Sequence, residues 1–326
     1  MKKYNWIIYF FILLPSCIGI KNQNSVEIDL SKTVPSIKYS TFVKNIEYVD
    51  LHLNDSLPIY GVENLYLDEN KIFIKDRKSE GILIFDAITG KLLKRITQYK
   101  EGPEEIKIIG AFCLDTYNKQ LCIFDKGDMK IKLYDYSGDY ISSYVVSDFF
   151  IDMAKLDKNS MTYFYPIYTD NEQKEGIWTL NSLDKTVIHL DSSITENCRL
   201  HYFPMLYNNN GSMVYYYDRN RDKLSLVTFD KMENMYSFDI RQRIPIEKMG
   251  LKDITPQILD GYSILHNFAC SENYLLLSFQ NYCIFKILRQ MKIRLFAFYA
   301  SVRCIMFVFL CFTNFIKIAA EIGSFL

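Results

Sequence analysis

The chain has 326 residues, and its 38 basic and 38 acidic side chains give a formal net charge of zero. Nearly half of it is hydrophobic and 15% is aromatic, which supplies a core and excludes a chain disordered as a whole. The neutral balance excludes the positive excess expected of a nucleic-acid binder. The eight cysteines form none of the Cys-x-x-Cys pairs that a zinc ribbon or thioredoxin-like centre needs.

The zero is a sum over unlike parts. Residues 1–16 carry Lys2 and Lys3 and no acid, and residues 286–326 carry six bases against Glu321 alone. The stretch 17–285 is left with 30 bases and 37 acids, a net charge of −7. An acidic body is flanked by two basic, apolar ends.

Residues 1–16 read as a signal peptide: a positive start, an apolar run from Trp6 to Leu14 too short to span a bilayer, and then small Ser16. Leu14-Pro15-Ser16-Cys17 resembles the bacterial lipobox, with Pro15 in place of the usual small or aliphatic residue. That resemblance implies cleavage before Cys17 and a diacylglyceryl group on its sulfur, so Cys17 is the predicted lipid-attachment residue. Acyl chains contribute about 0.8 kcal/mol per buried CH2 and hold a protein on a membrane without a spanning helix. Residues 17–27 read as the lipid-anchored tether.

From about residue 60 the chain is a series of short β-like runs with no helical spacing. Runs at 71–76 and 82–86 lead to a Gly90-Lys91 turn and a third run at 92–96. The order returns at 121–125, 131–135 and 140–144, then weakly from 161, clearly from 213, and once more from 274 before fading. Equivalent turn positions fall at Asp86, Asp135, Asn181 and Asp230, separated by 49, 46 and 49 residues. A second recurring Asp stands at Asp76, Asp125 and Asp218. Asp at such a place caps a turn by accepting backbone N–H groups; the alternative, a metal loop, lacks its D-x-D-x-D-G spacing. A period in the upper 40s with three or four strands per unit predicts an all-β, six-bladed-type β-propeller with about five recognisable blades over 28–285. A two-sheet sandwich is the alternative.

Three features carry a family resemblance: the lipobox at Cys17, the Ile-Phe-Asp…Gly-Lys turn at 84–91, and Lys100-Glu101-Gly102-Pro103-Glu104-Glu105-Ile106. With them the chain resembles the six-bladed β-propeller lipoproteins of Bacteroidetes, similar in shape to NHL and TolB-like propellers. The last segment keeps Gly102, Pro103 and Glu105 of the family's Gly-x-Gly-Pro-x-Glu-Tyr pattern, with Lys100 and Ile106 at its other two fixed places. The resemblance implies a fold and a cell-envelope location, and it does not fix an activity.

Residues 286–326 leave this grammar, with no Pro, no Asp and one Gly. Three readings of this off-pattern hydrophobic tail stand: a transmembrane helix interrupted by Arg303, a helix docked on the propeller, or translation past a frameshift. Residues 39–53 alternate apolar and polar and are the candidate closing strand of the ring.

No motif carries catalysis, a cofactor or a metal. His52, His189, His201 and His266 form no ligand spacing, and no nucleophile elbow or phosphate loop occurs. Cys113 and Cys122 lie on successive runs as candidate cross-strand neighbours, either packed thiols or a disulfide. Tyr215, Tyr216, Tyr217, Tyr163 and Tyr165 serve either as packing between blades or as rings that stack on a ligand. The predicted function is a lipid-anchored envelope module that binds or scaffolds a glycan, a peptide or an envelope protein, with no nucleic acid. A propeller hydrolase or lyase with a central-channel site, built around His201 or His266, is the alternative.

Overall fold

A computed structural model describes residues 25–29, 46–52, 59, 62–76, 81–99, 102–165, 176–184, 186–191, 206–208, 213–218, 221–245, 262, 265–270, 274–279, 282–287, 292–297, 310–312 and 315–319. The fold is an all-β propeller, and the described residues contain no helix.

Two short strands come first, β1 (Ser25–Ile28) and β2 (Ile46–Val49). The first blade is β3 (Val62–Asp68), β4 (Lys71–Asp76), β5 (Gly81–Asp86) and β6 (Leu92–Thr97). The second is β7 (Ile109–Asp115), β8 (Gln120–Asp125), β9 (Lys130–Asp135) and β10 (Tyr140–Val145). The third is β11 (Asp152–Lys155), β12 (Ser160–Tyr165), β13 (Gly176–Asn181) and β14 (Val187–Asp191). Each is a sequential antiparallel meander, as runs rich in Ile, Leu, Phe and Tyr joined by tight turns require. β15 (Leu206–Asn208), β16 (Val214–Asp218), β17 (Lys223–Val227) and β18 (Met232–Ile240) follow, and β1 adds to their outer edge parallel to β18. The next blade is β19 (Leu265–Cys270), β20 (Tyr274–Phe279), β21 (Tyr282–Ile287) and β22 (Lys292–Ala297). Last, β23 (Leu310–Phe312) pairs with β24 (Phe315–Ala319), and β2 joins the free side of β24 in parallel.

The innermost strands pack in succession around the axis, β7 on β11, β11 on β15 and β15 on β19. The core is therefore a set of slabs between neighbouring blades. Phe73, Ile82 and Ile84 meet Phe112, Leu121 and Tyr134. Cys113, Cys122 and Phe124 meet Met153, Met161 and Tyr163. Phe164 and Ile177 meet Val214 and Tyr216, and Tyr215 and Tyr217 meet Phe268 and Leu275. Each of the first four blades buries both faces, which is why β5 reads as five buried residues in a row. Each fully buried Phe, Ile or Leu contributes about 1.5–3 kcal/mol.

Two expectations change. Four of the sheets, not six, are regular four-stranded blades; the β15–β18 sheet gains β1 as a fifth strand, and the sheet of β2, β23 and β24 has three. The described parts of the apolar tail are strands rather than helix, because β22 and β24 find ladder partners in β21 and β2. β1 begins inside the expected tether, and residue 285 lies within β21, which β22 pairs along its whole length. Residues 1–16 and Cys17 lie outside the described residues. The candidate closing segment 39–53 contains β2.

Candidate functional site

Strand direction sorts the connections between two faces of the ring. At one face the turns are short: 69–70, 87–91, 116–119, 136–139, 156–159 and 182–186. At the other face lies the long connection 98–108, and β12, β14 and β18 end there. Loops of that length on one side of a rigid scaffold are where binding residues concentrate.

The short-turn face is stitched by the recurring Asp. The Asp86 carboxylate accepts from Ile88 N at 3.0 Å and Thr89 N at 2.7 Å, and these bonds hold its pKa below the usual carboxylate value. Asp135 accepts from Ser137 N and Asp139 N, and the Asn181 side-chain oxygen Oδ1 accepts from Leu183 N. These residues are turn caps, as the spacing implied.

On the long-connection face the second recurring Asp is buried. Asp125 accepts from Lys107 N, Ile108 N and Gly127 N at 3.0 to 3.1 Å, so it ties the 98–108 connection to the β8–β9 turn. Lys132, with no solvent exposure, sits 2.9 Å from Asp125 and 3.3 Å from Asp128 and donates to the Glu105 carbonyl. Tyr134 donates to the Glu104 carbonyl at 2.6 Å. Burial raises the Asp125 pKa, but the two backbone donors and Lys132 outweigh it and hold the carboxyl below its ordinary range. The Gly102–Ile106 part of the family-like segment is thus clamped from β9, with Ile106 fully buried. Beside it Lys75 donates to the Gly110 carbonyl at 2.7 Å and pairs with Glu63 at 3.1 Å.

A built concavity among the described residues lies between the second and third blades. It is a groove of about 720 Å³ that runs from Asn118 and Ser182 at the short turns to the β10–β11 connection. Met161, Tyr163, Leu133 and Cys122 floor it, while Tyr144, Val145, Trp178 and Val187 wall it. Met153, Tyr163, Trp178 and His189 stand opposite one another across β11 to β14, so they line one side of the blade. His189 stacks on Trp178 with ring centres 4.4 Å apart and planes 20° from parallel. Tyr144 and Tyr163 both donate to the Met161 sulfur, at 3.6 and 3.7 Å. Polar ends are supplied by the Lys155–Asp115 ion pair at 3.1 Å and by Lys158, Asn159 and Asp148. An aromatic wall with polar groups at its margins can take a sugar ring or an extended peptide by stacking and edge hydrogen bonds.

The residues singled out from sequence divide. Tyr215, Tyr216 and Tyr217 are each about 1% exposed and serve as packing, alternating between the two slabs that flank their strand. Tyr163 reaches the groove. His52 lies far along the chain from His189, and each is exposed; His201 is outside the described residues, and His266 is placed only as a strand position in β19. Among the described residues no three of His, Cys, Asp or Glu cluster as metal ligands, and no helix is long and apolar enough to cross a membrane. Trp178 was not singled out, although it stands one strand from Tyr163 in a pattern that already put Tyr163 on a face.

The stacked meanders define a β-propeller with a groove between two of its blades. A crystal structure of a protein described as exported, from Bacteroides fragilis NCTC 9343, superposes with a TM-score of 0.68 at 14% identity, over 84% of this chain and 80% of its own. That likeness shows the shared fold. The chain belongs to the family described as a domain of unknown function, DUF4934, whose pattern matches residues 24–301. Looser likenesses are to a DUF4221 member from Bacteroides vulgatus ATCC 8482 (TM-score 0.46, 12% identity, 75% of this chain and 83% of the other). BamB from Moraxella catarrhalis follows (0.43, 7%, 71% and 62%). At those scores neither carries an argument. No curated protein matches the chain.

Proposed function

We propose that this chain is a binding module of the bacterial cell envelope, anchored through lipid on Cys17, which holds a glycan or peptide in the groove between its second and third blades. The observation that carries this reading is the groove itself, with the rings of Tyr144 and Trp178 lining it between charged margins and buried Tyr163 beneath them. The Leu14-Pro15-Ser16-Cys17 sequence and the exported description of the B. fragilis neighbour support the envelope location. A ring of six units fits the irregular sheets: the β15–β18 sheet counts as a blade widened by β1, and β2, β23 and β24 make up the closing one, in the manner of the NHL and TolB-like propellers.

The chain has two Trp, Trp6 in the predicted signal peptide and Trp178 in the groove. Cleavage before Cys17 therefore leaves Trp178 as the single indole, and its fluorescence reports on this site alone. Titration with envelope oligosaccharides and with peptides is expected to give a saturable change in emission. Tyr144→Ala is expected to weaken binding about tenfold, the magnitude of one aromatic contact. If neither class of probe changes the emission, the groove is not the binding site. Labelled fatty acid is expected to enter the wild-type chain and not Cys17→Ser; equal labelling removes the anchor.

A further inference from the structure

The β7–β8 hairpin carries a second chemistry in the floor of the same groove. Cys113 and Cys122 are register partners on these antiparallel strands, so their side chains leave the sheet on the same face. Opposed residues in such a ladder have Cα atoms about 4.5–5.5 Å apart, inside the 4.4–6.8 Å range that a disulfide bridges. The two thiols are free, buried and hydrogen-bonded to each other. Cys122 also lines the groove, whereas Cys113 lies behind it. The surroundings are apolar and sulfur-rich, with Met153, Met161 and Phe124 packed on the pair.

We propose that Cys113 and Cys122 are an oxidisable dithiol, closed to a disulfide by exchange with a small disulfide that enters through the groove. The Cys122 thiolate attacks one sulfur of the oxidant, a mixed disulfide forms, and the first small thiol leaves. The Cys113 thiolate then attacks the Cys122 sulfur, the cross-strand bond forms, and the second small thiol leaves. Two electrons pass to the oxidant, and the two thiol protons end on its two halves. The order follows from position, because only Cys122 faces the opening. The Cys122 hydrogen bond and burial push the Cys113 thiol well up, so the second exchange should speed up about tenfold per pH unit between 7 and 9. The site is independent of the ligand that the groove takes, and its test does not use one.

Trypsin separates the pair. Cleavage at Lys107, Lys119 and Lys126 places Cys113 in peptide 108–119 and Cys122 in peptide 120–126. The full reduced chain is incubated with glutathione disulfide, quenched with iodoacetamide and digested without reductant. The expected product is the two peptides joined as one species that reduction splits. Cys113→Ala is expected to stop at glutathione on Cys122, and Cys122→Ala to leave Cys113 unmodified. Alkylated free thiols in both peptides after prolonged oxidation, or Cys113 joined to any other cysteine, overturns the proposal. Glutathione on Cys113 in the Cys122→Ala chain overturns the order of attack.

Discussion

Lys132 shows how much of this fold rests on charge placed out of solvent. Its ammonium and the Asp125 carboxylate are both fully buried, and Glu105 lends its carbonyl to the same group. Removing one partner of such a pair leaves the other charged and unpaired, at about 3–5 kcal/mol. Lys132→Met is therefore expected to lower the unfolding free energy by that amount in a urea titration. It should also free 102–106 for limited proteolysis, since Lys132 and Tyr134 are the clamps on that segment. Asp222 behaves in the opposite sense. Burial raises its carboxyl to about 6, against the pull of Arg243 and a 3.0 Å hydrogen bond from Tyr217. A pKa raised on folding means the folded state holds the proton more tightly, so this stability is complete below about pH 4 and is lost as pH rises through 6. Over that window the loss comes to about 3 kcal/mol. Asp222→Asn, which is neutral throughout, should remove that part of the slope, and melting curves of the two chains from pH 4 to 7 should diverge accordingly. The turn-capping Asp86, Asp135 and Asn181 were legible from their spacing. Lys132 was not, because period-two alternation sends it to a solvent face, and a blade between two neighbours has none.

At the scale of the element, the strand-Asp-strand-Gly order was enough to place β4 to β6 and β8 to β10 within a residue or two. One reason is that turn chemistry leaves little choice. Gly90 has φ of +71°, and a Cβ there would stand 1.7 Å from the Asp50 carbonyl oxygen. That oxygen belongs to the segment after β2, whose His52 N–H donates to the Gly90 carbonyl at 2.9 Å. Gly90→Ala is expected to cost at least about 2 kcal/mol, from the left-handed backbone and the clash together. Gly102→Ala makes the control. Its backbone is not left-handed and its Cβ would meet only the Glu105 side chain at 3.3 Å, so its unfolding midpoint should stay close to wild type. The helical readings of the tail fail at this scale for a physical reason. A continuous apolar run has no alternation to separate strand from helix, and only the pairing partner decides. That partner, β21 for β22 and β2 for β24, lies up to 270 residues away in sequence. The groove was illegible for the same reason: Tyr144, Tyr163 and Trp178 come from β10, β12 and β13, and only blade packing brings them together.

The whole molecule depends on how the ring is joined. A propeller has no single core; each slab between blades is stable only while both neighbours stand, and a gap exposes two sheet faces and two unpaired edges. Here the join runs between the two ends of the chain. β2 pairs in parallel with β24 through Ile46↔Ile316, Glu47↔Lys317, Tyr48↔Ile318 and Val49↔Ala319. Val49 is itself buried against Leu67, Ile72 and Phe85 of the first blade, so the join is continuous with that blade's core. A chain ended after residue 300 keeps β22 but loses β23 and β24, leaving β2 without its ladder. It is expected to melt earlier and in two steps, with the first blade opening before the second and third, and to bind a dye for exposed apolar surface under native conditions. A chain ended after residue 319 keeps every described strand and should melt as the full chain does. Were the shorter chain to melt in one step at the full-chain temperature, the β2–β24 ladder would contribute nothing. The first-blade slab around Phe85 would then have to be closed by other parts of the chain, and the acidic body could stand free of its basic C-terminal end.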